Sequence, residues 1–168
     1  MIEVLRGDIT TLAVDAIVNA ANRALAGGGG VDGAIHAAAG PELVRASRAL
    51  APCDAGQAVI TAGFNLEARY VIHAVGPVWR GGEAGEPELL RSAYRESFAR
   101  ALEKRDVRTI AFPAISTGVY GYPRQQAAQI AVSVMREHEG RFDRIVASVF
   151  DSQAEALYRA QLDASQAG

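Results

Sequence analysis

Four consecutive glycines, Gly27–Gly30, are where residue type and spacing in this chain first imply chemistry. A backbone without Cβ atoms lets a ligand come close and turns several N–H groups toward an anion. A helix-like segment, Gly33–Ala39, follows almost at once and adds the positive end of a helix dipole. Upstream stands Asn19-Ala20-Ala21-Asn22, and between run and helix lie Val31 and the acid Asp32. A second loop, Ala114–Pro123, carries Ser116, Thr117, Gly118, Val119 and Tyr120. Its hydroxyls and unobstructed amides also suit phosphate oxygens. Two such loops in one small domain suggest a groove that grips a diphosphate from both sides. Neither contains lysine, and only Arg124 follows the second, so recognition of charge falls mainly to backbone dipoles.

A third segment, Arg6-Gly7-Asp8-Ile9-Thr10, contains an acid that could accept a hydrogen bond from an adenine amino group. An ordinary turn-forming or capping Asp reads equally well there. Phe150 offers an aromatic face for a base, although a core phenylalanine would be just as ordinary.

Other chemistries are excluded by placement. Gly28–Gly33 matches the dinucleotide fingerprint G-x-G-x-x-G, and Asp54 follows at about the expected 20 residues. Those glycines should come straight off a strand, but Asn22–Ala26 intervenes, and Asp54 follows Ala-Pro-Cys rather than ending an apolar strand. No Gly-Lys-Ser/Thr follows the glycines, so a Walker A loop fails too. Lys104 is the only lysine and reads as the polar end of a helix, away from every glycine-rich loop. Cys53 is the only cysteine, which removes an intrachain disulfide or a multi-cysteine metal site and leaves a loop thiol. No metal-ligand cluster is visible. His36, among small helical residues, and His73, inside an apolar strand, read as structural.

The elements that must position these loops are short β-rich runs alternating with longer helical ones. Strands are expected at 2–6, 16–19, 58–62, 70–75, 109–113 and 144–150. Several are near-continuous apolar runs, as in strands covered on both faces. Helices are expected at 33–39, 41–50, 87–104, 124–138 and 153–162. Leu89, Leu90, Ala93, Tyr94, Ser97, Phe98, Ala101 and Leu102 recur at helical spacing, as do Ala127, Ala128, Ile130, Ala131, Val134 and Met135. The alternation implies an α/β sandwich with helices on both faces of a largely parallel sheet. Ligands of such sheets bind beyond the carboxyl ends of the strands, where the three loops lie.

Length and composition set outer bounds. The chain has 168 residues, 49% hydrophobic and 21% charged, which favours a single packed domain over disorder. That domain is expected over 1–164, with a short frayed tail at 165–168. No stretch approaches the roughly 18 apolar residues of a membrane span. No basic leader precedes Ile2, so the expected location is the cytoplasm. A net charge of -2 gives no broad attraction for nucleic acid, and no aromatic-plus-basic strand face suggests RNA binding.

Taken together, Gly7-Asp8-Ile9-Thr10, Asn19-Ala20-Ala21-Asn22, Gly27–His36 with Ala38-Ala39-Gly40, and Ile115–Pro123 resemble the macrodomain family. They are most similar to its MacroD-type branch, which includes bacterial O-acetyl-ADP-ribose deacetylases, as is Val75-Gly76-Pro77-Val78-Trp79-Arg80-Gly81-Gly82. The match covers almost the whole chain in order. The resemblance implies a three-layer α/β/α sandwich around a mixed, mostly parallel six-stranded sheet, with no cofactor. It assigns adenine to Asp8 and Ile9 with Phe150 packing on the base. The diphosphate would lie between Gly29, Gly30, Val31 and Asp32 on one side and Ser116, Thr117, Gly118, Val119 and Tyr120 on the other. Asn22 would hold the distal ribose and Asp32 would lie near the scissile bond, making these two the catalytic pair.

The implied activity is hydrolysis of ester-linked groups from the distal ribose. Substrates would be O-acetyl-ADP-ribose, mono-ADP-ribosylated Asp or Glu of proteins, or both. Such hydrolysis needs a positioned water, a proton acceptor and stabilisation of developing negative charge. The acceptor is either Asp32 or the α-phosphate of the substrate. The main rival is a non-catalytic reader of ADP-ribose, which the presence of both Asn22 and Asp32 disfavours. No Gln-Glu-Glu triplet follows the glycine run, as a poly-ADP-ribose glycohydrolase would require.

Overall fold

Alternation of side chains along each strand determines which residues face which layer of helices. In the computed structural model, which describes residues 1–166, six strands form one sheet. They are β1 (Ile2–Arg6), β2 (Ala16–Ala20), β3 (Ala58–Ala62), β4 (Tyr70–Ala74), β5 (Thr109–Phe112) and β6 (Arg144–Val149). Their order is β1-β6-β5-β2-β4-β3, parallel throughout except for β3, which pairs antiparallel with β4 at one edge.

Successive residues of the inner strands enter opposite cores. Ala16, Val18, Ile72, Ala74, Ile110, Phe112, Ile145 and Ala147 belong to one core. Ile17, Val71, Ala111 and Val146 belong to the other. The larger core is closed by α3 (Glu86–Leu102), α4 (Arg124–His138) and α5 (Ser152–Gln166), and the smaller by α1 (Gly30–Ala39) and α2 (Pro41–Arg48). Two faces of helices on one mixed sheet give the expected three-layer sandwich.

The departures from the expected elements are local and informative. Helix α1 begins at Gly30, three residues earlier than the apolar pattern indicates, so the end of the glycine run is itself the helix N-terminus. Its first turn contains Asp32, an acid where the dipole favours one. A short 3-10 turn at Ile9–Thr11, invisible to periodicity, is capped by Asp8. The frayed tail expected from Ser165 is corrected over Ser165 and Gln166, which continue α5. There the Ser165 hydroxyl donates to Leu162 O and accepts from Arg136 Nε, both at 2.8 Å. Ala167 and Gly168 lie outside the described residues. Lys104 follows the end of α3, with its ammonium 5.5 Å above the Tyr70 ring. Cys53 is buried in a small apolar cluster, and burial, then Asp54, pushes its thiol above the usual range.

The connection from β4 to α3 is organised by one carboxylate. Glu86 is almost fully buried and accepts backbone N–H bonds from Gly82 (2.9 Å), Arg80 (2.8 Å) and Ala84 (2.7 Å). These donors, Gly82 first and Arg80 next, pull its carboxyl down to about 2 from 4.5. A depressed carboxylate stabilises the fold above its unfolded pKa, and that contribution is lost as pH falls toward the folded value. Glu86→Gln retains one accepting oxygen and places an amide donor among donors. The variant should be less stable than wild type at pH 7 in urea unfolding, and the gap should narrow between pH 4.5 and 2. A gap independent of pH would remove Glu86 from the acid response.

Candidate functional site

Strand β2 leads into the first loop at the carboxyl end of the sheet. Asn22, just past it, donates from Nδ2 to Gly27 O at 2.9 Å, which closes the chain between them into a compact turn. The glycines then pass Asp32 at close range. A Cβ on Gly28 would stand 3.3 Å from Asp32 Oδ2 and 3.6 Å from Asn22 Nδ2. One on Gly33 would stand 2.5 Å from Gly28 O, a separation real Cβ atoms do not adopt. Helix α1 can lie this close to the glycine turn only because position 33 has no side chain.

The second loop leaves β5 and is held by a tyrosine beneath it. The Tyr94 hydroxyl accepts from the Ile115 N–H and donates to Pro113 O, each at 3.3 Å. Burial pushes that phenol up to about 12, so it remains a neutral donor and acceptor. Ser116 adopts a positive φ of 69° and packs against Gly76, where no side chain could be accommodated. Bonds from Tyr122 N to Ser116 O (2.9 Å) and from Gly121 N to Gly118 O (3.0 Å) close the loop. Trp79 N donates to Tyr120 O at 2.8 Å, linking this loop to the connection that Glu86 organises.

Between the two loops lies a cavity of about 490 Å³, within the range of small-molecule sites. Asn22, Gly29, Gly30, Val31 and Asp32 line one wall. Ser116, Thr117, Gly118, Val119 and Tyr120 line the other, with Phe150 at one end. Among the described residues, no acceptor takes the amides of Thr117, Gly118, Val119 or Tyr120. The first-turn amides of α1 lack intrahelical partners as well. Residues of both walls therefore carry unpaired backbone donors. Val119 is fully exposed, and Phe150 is 67% exposed, far more than a core aromatic.

Asp8 and Ile9 do not line this cavity. They adjoin its Phe150 end, since Gly7 N donates to Val149 O at 2.9 Å. Asp8 Oδ1 accepts from Thr10 N (2.9 Å) and Thr10 Oγ1 (2.7 Å), the capping role weighed for it. Its Oδ2 takes no bond among the described residues. The Ile9 side chain is buried in the smaller core, which leaves only its backbone for a ligand. Arg124 lines the cavity but is paired with Asp151 at 3.1 Å.

Sequence reasoning missed what stands behind Asp32. Asp32 is only 6% exposed, and its Oδ1 accepts from Asn19 Nδ2 at 2.8 Å. His36 Nε2 lies 3.3 Å from the same oxygen. The i, i+4 spacing of Asp32 and His36 on α1 was the available signal for that contact. Among the described residues, no group of three or more His, Cys, Asp or Glu side chains could hold a metal ion.

The Macro domain family model matches residues 18–131, which spans the glycine loop, β5 and the second loop. The chain belongs to the macro domain family. This macro domain is 63% identical to a macro domain-containing protein of Ralstonia nicotianae, over 95% of the chain and 92% of the relative. It is 53% identical to an O-acetyl-ADP-ribose deacetylase of Salmonella newport, over 94% of the chain and 91% of the relative. Among solved structures, a macrodomain variant of Oceanobacillus iheyensis with ADPR superposes at a TM-score of 0.92 and 37% identity. That match covers 99% of this chain and 94% of the other. No helix among the described residues is long and apolar enough to cross a membrane.

Nothing lies within 4 Å of where a Gly118 Cβ would stand, so the fold of this macro domain can carry a side chain there. Gly118→Glu should melt like wild type yet lose ADP-ribose binding, because the added carboxylate enters the space between the loops. Calorimetry beside a thermal melt checks this, and tight binding by the folded variant would place the diphosphate elsewhere.

Proposed function

We propose that this macro domain is a hydrolase that binds ADP-ribose and removes ester-linked groups from its distal ribose. The observation that carries the reading is the convergence of Asn22 and Asp32 on Gly28, at a cavity whose two walls present unpaired amides. The name of the Salmonella newport relative points to acetyl esters of ADP-ribose as one substrate. An ester to Asp or Glu of a protein leaves the same bond on the same ribose, so the pocket serves both. The ligand ADPR in the Oceanobacillus iheyensis neighbour supports the choice of nucleotide.

Each residue then has a derivable task. Adenine packs on Phe150 and donates its amino hydrogen to Asp8. The diphosphate receives N–H bonds from Gly29–Asp32 and from Ser116–Tyr120, in the manner of anion sites at helix N-termini and backbone nests. Asn22 holds the distal ribose. Asp32 Oδ1 is occupied by Asn19 and His36, whereas Oδ2 faces Gly28 and the cavity. Oδ2 is the oxygen that orients a water and accepts its proton as the water attacks the ester carbonyl. The substrate α-phosphate is the alternative acceptor, and the Asp32 variant distinguishes the two.

Asn22→Ala and Asp32→Ala should each lower acetate release from O-acetyl-ADP-ribose by about 10²–10⁴, the usual effect of losing a positioned catalytic group. ADP-ribose affinity should shift only modestly, because the adenine and diphosphate contacts remain. The double variant should be little worse than the worse single one. A wild type that releases nothing from this substrate or from ADP-ribosylated carboxylates would be a reader. Full rate in Asp32→Ala alone would make the phosphate the base.

Asp8→Asn separates the cap from the base contact. Asparagine caps a helical turn about as well as aspartate, so the melt should not move. Replacing the free oxygen by an amide removes a charged acceptor, which should weaken ADP-ribose about tenfold or more. Unchanged affinity by calorimetry would take Asp8 out of the adenine site.

A further inference from the structure

Behind the cavity, three buried polar side chains lie on the same face of the sheet. Asn19 on β2 and His73 on β4 are register partners, and both are fully buried. By alternation, they point toward α1 with Ile17 and Val71, away from the core of Val18 and Ile72. Thr61 on β3, buried as well, brings its Oγ1 to 3.0 Å from His73 Nε2. Asn19 Nδ2 lies 2.8 Å from Asp32 Oδ1 and 3.4 Å from His73 Nδ1. None of the three lines the cavity.

The hydrogens of this chain can be assigned from its ends. Asp32 presents an acceptor, so the Asn19 amide must turn its NH2 toward it; the reversed amide would set oxygen against carboxylate. The second hydrogen of that NH2 faces His73 Nδ1, which must then carry a lone pair. His73 therefore bears its proton on Nε2 and donates it to Thr61 Oγ1, while Thr61 donates its own hydrogen to Ala62 O at 3.1 Å. Each donor meets an acceptor, and any other tautomer sets donor against donor. Burial, and then His36, holds the imidazole down to about 3, so it stays neutral across the working range.

We propose that Asn19 is a positioning residue for the hydrolysis: oriented by His73 and Thr61, it fixes the Asp32 carboxylate so that Oδ2 faces the reacting water. The inference rests on the proposed function. The titratable groups around Asp32 are His36 from its own helix and His73 from β4, and the strands β2 and β3 supply only the uncharged Asn19 and Thr61.

The test is the pH dependence of acetate release. Asn19→Asp sets a second carboxyl within hydrogen-bond distance of Asp32. Two such groups share one proton to higher pH, so the acid limb of kcat should move up by about one unit or more. KM and ADP-ribose affinity should change less than about threefold, since Asn19 does not touch the cavity. Thr61→Val removes the acceptor at the far end with little change in volume. It should lower kcat several-fold at unchanged KM, and Thr61→Ser should restore the rate. Nitrogen-15 histidine spectra of the wild type should show His73 neutral and protonated on Nε2 at pH 5–8.

An unshifted profile in folded Asn19→Asp, with wild type active, overturns the positioning role alone. So does a wild-type rate in Thr61→Val, or an Nδ1-protonated His73. A wild type that releases nothing from this substrate or from ADP-ribosylated carboxylates overturns the hydrolase reading and the role of Asn19 with it, and one active only on the carboxylates is put through the same tests with them. If Asn19→Asp does not fold, Thr61→Val and the spectra decide.

Discussion

The hydrogen bond from Asn19 to Asp32 ties helix α1 to strand β2 at the point where the glycine turn passes between them. The rest of the site depends on it. An Asp this deeply buried needs partners, because an unpaired carboxylate away from water is costly. The fold supplies them from beneath, through Asn19, and from one helical turn onward, through His36. With Oδ1 taken up by these partners, Oδ2 is left toward Gly28, a residue of the cavity wall. The direction in which the carboxylate can act is thus set by sheet alternation: a one-residue slip of β2 would exchange Asn19 for an apolar neighbour and leave Asp32 without its donor.

The cavity walls follow a similar division between a rigid base and an open rim. Gly33 lets α1 approach the turn, and Asn22 closes the turn from within. On the other wall, Tyr94 holds the start of the loop from below while Trp79 N holds its end from the side. Between these fixed points the amides of 117–120 have no partners among the described residues. Unpaired donors are tolerated where water or a ligand can reach them, and a loop pinned at both ends holds them in place. Pre-set donors need not be ordered by the ligand, which preserves affinity that a flexible loop would lose.

Most of the fold was legible because both faces of the sheet are covered. Strands such as Ile17-Val18 and Ile145-Val146 read as apolar runs, and α3 and α4 carry a clear helical period. The glycine run and Ser116–Tyr120 were legible because backbone exposure leaves a mark in composition. What could not be read is of another kind. The start of α1 at Gly30 follows from a tertiary approach, and no propensity favours a helix through Gly30 and Gly33. The 3-10 turn at Ile9–Thr11 is too local for periodicity to register, although a capping role was one of the two readings of Asp8. Asn19, His36 and His73 were visible as letters, but their meeting depends on β2 and β4 being adjacent and on α1 crossing over them. His73 does sit buried in a strand, as its neighbours indicate; what pairs with it is set by register, which sequence does not print.

Charge explains how the proposed site for a dianionic nucleotide fits a chain of net charge -2. The lone lysine follows the end of α3, over the Tyr70 ring and off the cavity wall, and the one arginine among the described residues of that wall is paired with Asp151. Among the described residues, the only full positive charge lining the space between the loops is therefore one already paired with a carboxylate. Donors on backbone amides and a helix terminus carry partial charges at fixed positions, and a sheltered groove screens them less than bulk solvent screens exposed side chains. A nearby lysine or arginine would also compete for the Asp32 carboxylate and tie up the oxygen that the proposed chemistry requires. Binding by dipoles leaves that oxygen uncommitted, so the same choice that provides anion recognition keeps the acid available at the reacting end.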